Sequence, residues 1–294
     1  SGVDGDKGED GTSGSSGINE SLNQSSNSLI GDTYIDEIFD DFETDTTIII
    51  NAEDDVEQEF LNAIDRKGEK VEIILNFQGT INFLPYKGLI IKPNKTKIRA
   101  VKGNGVTIVG AQFHTRGGEL FCENIRFRVG DEPDPNTPFV LPNGWTEYSE
   151  RDNWKVGSDR AIFKNCSFSW STDELLQTNG KEVTFYRCLF IEPIATPKHH
   201  KGEHPKGTIH FNYDAIPGYK VYIIECGYLN CFDRTPQIGT PNIAGYMKNS
   251  LTWHSKFGPT MNCRSGSATF VIDNYFIENV TKGDFRFLLD NDNL

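Results

Sequence analysis

The 294-residue chain lacks any run of 18 consecutive apolar residues, which excludes an ordinary transmembrane helix. Basic side chains are also scarce, with 29 Lys and Arg against 42 Asp and Glu, so the formal net charge is −13 and the isoelectric point is near 4.9. General nucleic-acid binders need a basic surface. We therefore expect no membrane insertion and no nucleic-acid partner.

None of the six cysteines is separated from another by two residues, so the sequence lacks the C-x-x-C pairs of a typical zinc site. An even number of cysteines leaves a disulfide framework open. A chain of this length can bury a hydrophobic core large enough to fold without disulfide bonds, so buried free thiols are the favoured interpretation.

Proline is absent from positions 1–17, which instead carry a glycine at every third position. This strict period is typical of a collagen-like Gly-X-Y stem, because only glycine fits the axis of three wound chains. A flexible Gly/Ser/Asp linker is the alternative. Proline-free, charged stretches of this kind resemble the stems of phage and bacterial surface fibres. The sequence thus predicts a stem fragment over residues 1–17 and a homotrimer.

Residues 18–45 are polar and acidic and predict a linker, with one short amphipathic piece around Tyr34–Phe42. A compact domain is predicted over residues 46–294. Within it, Asp54–Asp65 has a helical pattern, and the residues after Gly68 form short β-type runs separated by turn residues. The first of these runs are Val71–Phe77, Thr80–Phe83, Leu89–Ile91, Lys97–Ala100 and Val106–Val109.

A repeat begins near residue 119, with two apolar positions, then a small residue or cysteine, then an aromatic residue. A weaker copy around Tyr246–Trp253 divides the last and longest interval between aromatic positions. A unit of roughly 22–25 residues, with insertions on two turns, explains every interval, and such a period with short strands indicates a solenoid. The aromatic positions are Phe127, Phe168, Phe190, Tyr228 and Phe276.

Six segments resemble pectate lyases, in the order in which they occur in that family. The resemblance covers roughly residues 46–285 and implies an all-β fold, a right-handed parallel β-helix with an N-terminal capping helix. The segments are Val71–Ile81, Asn104–Gly110, Glu123–Asp131, Asn165–Glu174, Lys201–His204 and Asn230–Gly239.

The resemblance also implies chemistry, because the family binds an acidic polysaccharide and cleaves it by β-elimination. Calcium bridges protein and sugar carboxylates there, and an arginine acts on the proton beside the sugar carboxylate. Arg234, in Arg-Thr-Pro, corresponds to that catalytic arginine. The alternative for Arg234 is an ion pair with Asp233 or with a carboxylate of another turn.

The remaining site residues follow from the same resemblance and from the local sequence. Lys201 is the best match to a substrate-binding lysine and Lys206 the second, with His204 between them and Trp145 in a separate loop. Solvated polar residues are the alternative reading of each position. A transition metal at His199, His200 and His204 lacks a further ligand in the sequence. The implied calcium ligands are Asp173, Glu174 and Asp152.

Three departures from the family pattern weaken calcium binding and substrate clamping. Lys164-Asn165 stands where the family has Asp-His, and Gln177 stands where a carboxylate is common. The second arginine is missing, with Gln237 and Gly239 in its place.

Three functions remain open on this reading. The first is a phage or surface-appendage protein that recognises and cleaves an acidic polysaccharide as a lyase, outside the cell or on a virion. The second is a catalytically inactive glycan-binding or virion structural module. The third is a secreted pectate lyase, against which the Gly-X-Y register argues.

The stem makes an oligomer the expected state in solution. Light scattering at micromolar protein should give the mass of three chains, and deletion of residues 1–17 should weaken the trimer, because the three chains wind together there. A monomer for the undeleted chain would contradict the stem prediction.

Overall fold

The computed structural model describes residues 42–131, 151–194, 204–211, 218–239, 243–248, 250–253, 261–264, 268–272, 275–277 and 287–289. Those from Thr44 onward belong to one compact unit. The predicted stem, most of the predicted linker, and the loop with Trp145 lie outside the described residues.

Among the described residues, nine parallel strands form one sheet, called face A, in which each strand pairs with the one a turn later. They are β1 (Thr46–Asn51), β2 (Lys70–Asn76), β4 (Lys95–Ala100), β6 (Glu119–Glu123), β9 (Arg160–Lys164), β12 (Glu182–Tyr186), β15 (Tyr219–Ile224), β18 (Ile243–Lys248) and β21 (Ala268–Ile272).

A second parallel sheet has fourteen strands in the part of the chain that the structure describes. Two of these are long, β3 (Gly79–Ile90) and β5 (Val106–Arg116). Face B consists of β7 (Ile125–Arg128), β10 (Ser167–Ser169), β13 (Leu189–Ile191), β16 (Gly227–Leu229), β19 (Leu251–Trp253) and β22 (Tyr275–Ile277). Face C consists of β8 (Trp154–Gly157), β11 (Glu174–Thr178), β14 (Lys206–His210), β17 (Gln237–Gly239), β20 (Met261–Arg264) and β23 (Phe287–Leu289).

Faces B and C are continuous because β5 bends between them. Its first half, Val106–Val109, pairs with β7, and its second half, Phe113–Arg116, pairs with β8. Gly110 lies at the bend with φ of 75°, and a side chain there would come within 2.9 Å of the Leu84 backbone nitrogen. Only glycine meets both demands. The prediction of two separate short runs was wrong for β3, which stays extended through the same corner with a register shift between Asn82 and Lys87.

Each turn of chain adds one strand to each face, so the fold is an all-β parallel β-helix, as predicted. Ala161 pairs with Leu120 of the turn before and with Val183 of the turn after. Val183 in turn pairs with Val221, and Val221 pairs with Gly245. The short steps, from Ala161 to Val183 and from Val221 to Gly245, match the predicted unit, and the two longer steps carry the insertions. The predicted unit and both insertions are therefore confirmed, and the weak copy is β18 and β19.

The helical pattern of residues 54–65 forms helix α1 (Val56–Ile64). Asp55 caps its start, accepting a hydrogen bond from the Gln58 backbone N–H at 3.2 Å. Phe60 is fully buried, with its ring 6.1 Å from that of Phe83 and 6.2 Å from that of Phe113. This is the only helix in the described part of the chain, and it is too short to cross a membrane.

The corner between faces A and B is a single residue in the left-handed backbone region. Asn124, Asn165, Arg187 and Glu225 occupy it on successive turns, with φ between 52° and 62°. Each donates its backbone N–H to a carbonyl of the next turn, as Asn165 does to Tyr186 at 3.0 Å. The hydrogen bond helps to offset the strain that this conformation costs a residue with a side chain.

Aromatic rings stack along the interior from turn to turn. The rings of Phe127, Phe168, Phe190 and Tyr228 form one stack, with centroids 5.3, 5.3 and 4.6 Å apart. Phe163 stacks on the Phe185 ring at 5.4 Å and meets two other rings edge-on. Stacks of this kind hold neighbouring turns in register, since each ring contacts its equivalent above and below.

A second row holds the thiols. The side chains of Cys166, Cys188 and Cys226 lie one turn apart and contact backbone carbonyls, as Cys188 Sγ does the Phe163 oxygen at 3.2 Å. The five cysteines whose side chains are described are all buried and free, which confirms the favoured interpretation for them.

Truncating the stacked ring of Phe163 should destabilise the domain by roughly 3–5 kcal/mol, because a buried cavity replaces the ring. Ile49→Ala is the control, since 55% of the Ile49 surface is exposed and about 1 kcal/mol or less is expected. Urea unfolding measures both. Equal losses in Phe163→Ala and Ile49→Ala would contradict the importance of the stack.

Candidate functional site

Charged side chains from four successive turns meet where face C begins. The chain crosses this corner at residues 152, 173–174, 204–206 and 233–234. Backbone hydrogen bonds tie the crossings together: Thr172 N–H donates to Arg151 O at 3.1 Å, and Gly207 N–H donates to Asp233 O at 2.9 Å. We call these residues the corner strip: Asp152, Asp173, Glu174, His204, Lys206, Asp233 and Arg234.

Arg234 pairs with Glu174, which lies two turns away. Arg234 Nη1 contacts Glu174 Oε1, and the exposed fractions of the two side chains are 20% and 4%. The Arg234 backbone N–H donates to Asp233 Oδ1 at 2.7 Å, and its φ of 59° is left-handed. A carboxylate partner stabilises the charged guanidinium. Arg234 is therefore suited to stabilise negative charge on a ligand and unsuited to accept a proton from it.

Gly207 allows the turn carrying Arg234 to approach. A side chain at position 207 would lie 2.3 Å from the Arg234 carbonyl oxygen. Since the colliding atom is backbone, the whole crossing would have to move. Gly207 therefore allows the backbone at Arg234 to lie close to β14.

Two further pairs complete the strip. His204 Nε2 lies 3.2 Å from Asp173 Oδ1, and Lys206 Nζ lies 3.3 Å from Asp233 Oδ2. These four side chains are mostly buried but reach solvent. The strip thus carries four carboxyl groups beside one lysine, one arginine and one histidine, so it is not a simple basic patch.

Asp152 lies at the bottom of the strip and is 1% exposed. Its Oδ1 accepts a hydrogen bond from the Glu174 backbone N–H at 3.0 Å, while its Oδ2 accepts none from the described residues and lies 3.6 Å from Lys155 Nζ. Burial raises the pKa of Asp152 well above its usual range. Lys155 and Arg234 oppose this shift, and the nearby charge of Asp173 adds to it.

Asp173, Glu174 and His204 are the described residues placed to share a metal ion, with one potential ligand atom from each lying within 4.8 Å of the others. Calcium takes about six to eight oxygen ligands. This group offers a nitrogen, one Glu174 oxygen already faces Arg234, and Asp152 Oδ1 is already hydrogen-bonded. The donor set therefore matches calcium poorly, and calcium stays a prediction.

The structure brings together most of the residues predicted for the site. Arg234, Lys206 and His204 lie in the strip with all three predicted calcium ligands. Lys201 and Trp145 lie outside the described residues, as do His199 and His200. Gln177 lies beside the strip on β11, paired in register with Lys155.

One family departure falls elsewhere. Asn165 lies at the corner between faces A and B, where its side chain donates to Asn124 Oδ1 at 3.3 Å, and Lys164 pairs with Glu123 at 3.1 Å. That corner is at the other end of β10 from the strip. The loss of Asp-His at this position therefore does not remove a side chain from the strip.

Sequence reasoning gave no role to Gly207 or Lys155, and it considered Asp233 only as an ion-pair partner of Arg234. The structure instead pairs the Asp233 side chain with Lys206. Gly207 left no signal, because its role depends on a close approach by the next turn of chain, at Arg234.

A buried polar chain lies beneath the strip. His210 Nδ1 is 2.8 Å from Thr178 Oγ1, and His210 Nε2 is 3.1 Å from Thr208 Oγ1. Thr208 in turn lies 3.0 Å from the Tyr228 hydroxyl. Burial lowers the pKa of His210 to about 3, so the imidazole is neutral in the folded protein near neutral pH.

Comparisons with known proteins give a likeness of structure only. No family model matches the chain, and no curated protein does. A solved pectate lyase from Paenibacillus sp. 0602 matches with a TM-score of 0.48 and 11% sequence identity. The match covers 72% of this chain and 60% of that one, so this chain spans less than two thirds of the lyase. At this similarity the likeness carries no argument about activity or residue roles.

Acid should destabilise the protein through His210. An unfolded histidine binds a proton below about pH 6.5, whereas folded His210 stays neutral down to about 3, so stability is lost as pH falls through this window. The slope is roughly 1.4 kcal/mol per pH unit. Urea unfolding of wild type and His210→Gln from pH 7 to about 4 should show a shallower decline for the variant. Parallel curves would contradict this assignment.

Proposed function

We propose that the chain binds an acidic polysaccharide along the corner strip and cleaves it by β-elimination. The observation that carries the proposal is the position of Arg234, a partly exposed cation held by Glu174 in a row shared with Lys206. Guanidinium groups recognise carboxylates through paired hydrogen bonds, and lysine adds a point charge.

The repeat of the fold suits a polymer. Successive turns lie ~4.8 Å apart, so the strip offers charged side chains at regular intervals along one line. Lys155, Lys206 and Arg234 come from three different turns. A polysaccharide with a carboxylate on each sugar presents a regular row of anions to such a line, which supports a polymer as the ligand.

The proposed chemistry assigns Arg234 to charge stabilisation. Solvent water takes up the proton beside a sugar carboxylate, which leaves negative charge on that group. Cleavage of the neighbouring C–O bond then leaves an unsaturated sugar, and the departing oxygen takes a proton from water. A preorganised cation lowers the energy of this state. Glu174 keeps Arg234 charged and oriented, which suits the stabilising role better than the role of base.

A glycan-binding module without catalysis is the second candidate. It is favoured by the charge pairing within the strip, since Glu174 and Asp233 neutralise Arg234 and Lys206. Gln177 and Gln237 add no charge for clamping a sugar carboxylate. This candidate predicts binding without product.

We further propose that the domain works outside the cell or on a virion surface, as the end of a trimeric phage or surface fibre. The Gly-X-Y register of residues 1–17 supports this setting. A secreted pectate lyase with a short linker is the alternative, and the regular glycine spacing speaks against it.

Incubation with polygalacturonate and with acidic bacterial surface glycans should yield unsaturated products, followed by ultraviolet absorbance. Arg234→Ala should reduce turnover by about 100-fold or more, because a stabilising cation is lost. Lys181→Ala is the control, since this exposed lysine pairs with Asp159 and should leave turnover unchanged. Full turnover in Arg234→Ala would contradict the role given to Arg234.

Affinity electrophoresis in the same glycans separates the two candidates. Retarded migration with no product on any glycan would contradict the lyase proposal and support the glycan-binding module. Neither retardation nor product would contradict both.

A further inference from the structure

We infer that Asp173, Glu174 and His204 form a binding site for a divalent transition metal ion of the zinc type. The inference stands apart from the proposed function, because it concerns metal binding and requires no glycan. The sequence grouped His204 with His199 and His200 and offered no further ligand, and the stacking of turns supplies two.

The geometry brings the three ligands together from two neighbouring turns. Asp173 and Glu174 open β11, and His204 lies just before β14, which pairs with β11. Potential ligand atoms of all three lie within 4.8 Å of one another, and His204 Nε2 already lies 3.2 Å from Asp173 Oδ1. Ligands of one zinc ion, each ~2.0–2.2 Å from it, stand up to about 4 Å apart. Small side-chain rotations therefore suffice.

A buried oxygen beside the cluster supports a cation there. Asp152 is 1% exposed, and its Oδ2 accepts no hydrogen bond from the described residues. Its carboxyl group is joined to the Glu174 backbone N–H and lies near enough to Asp173 for their charges to interact. Lys155 forms an ion pair with this oxygen at 3.6 Å and offsets part of its charge. Asp152, Asp173 and Glu174 still bring three carboxyl groups close together, and a metal ion at the cluster would add positive charge there.

The donor types select the metal. Histidine nitrogen is a common ligand of zinc and other late transition metals, whereas calcium and magnesium prefer oxygen alone. Two carboxylates and one imidazole make three protein ligands, which leaves a fourth position of a zinc ion open to water or another ligand. Arg234 would orient Glu174 through Oε1, as hydrogen-bond partners commonly orient metal-binding carboxylates.

Isothermal titration of the chelator-treated full chain with Zn²⁺ and with Ca²⁺, in separate runs without glycan, tests the site. We expect one Zn²⁺ per chain, bound at least tenfold more tightly than Ca²⁺. His204→Ala and the milder His204→Gln should each weaken Zn²⁺ binding at least tenfold. His114→Ala is the control, because His114 is half-buried on β5 and lies outside the cluster.

Co²⁺ gives a readout independent of affinity. Its visible absorption should show a nitrogen ligand in wild type and in His114→Ala, and this signature should disappear in His204→Gln. Circular dichroism of each variant verifies the fold. The double variant His199→Ala/His200→Ala should keep Zn²⁺ binding.

Three results would overturn the inference. They are Ca²⁺ binding tighter than Zn²⁺, no binding of either ion, and Zn²⁺ binding that survives in folded His204→Gln but is lost in the double variant. Because no glycan is present, none of them bears on the proposed polysaccharide activity, and loss of that activity would leave the metal result intact.

Discussion

Parallel backbone hydrogen bonding between successive turns is the constraint on which the rest of this structure depends. It fixes which residue of one turn lies beside which residue of the next. Asp173, Lys206 and Asp233 are neighbours because Lys206 N–H donates to Asp173 O and Gly207 N–H donates to Asp233 O. The corner strip is therefore a product of register, and a slip of one residue on any turn would separate its charges.

The interior of the β-helix stabilises the fold, and the corner strip carries the charged groups proposed to act on a ligand. Stacked rings such as Phe163 and Phe185 hold the turns in register from inside. The strip gathers charges that are expensive to bury, and Asp152 and Glu174 are almost fully buried. Such a cluster is tolerable because Arg234, Lys206 and the neighbouring Lys155 each pair with one of its carboxyl groups, and because the stacked core stabilises the turns that present them.

The sequence predicted the repeat well and the contacts poorly. The recurrence of aromatic residues from Phe127 to Phe276 revealed the turns, because inward-facing residues must recur wherever the chain returns to the same face. The left-handed corners were missed, because Arg187 and Glu225 are not residue types that usually adopt this conformation. The alternative of an ion pair between Arg234 and a carboxylate of another turn is confirmed. Its partner, Glu174, is far away in the sequence and across an insertion, and no local pattern identifies it.

Energetic coupling between Glu174 and Arg234 tests the central claim most directly, since only the stacking of turns makes them neighbours. A double-mutant cycle with Glu174→Gln, Arg234→Gln and the combined variant would compare free energies of unfolding in urea. The account predicts a favourable coupling of about 1 kcal/mol or more, because the pair is largely buried. Additive effects within about 0.3 kcal/mol would contradict it.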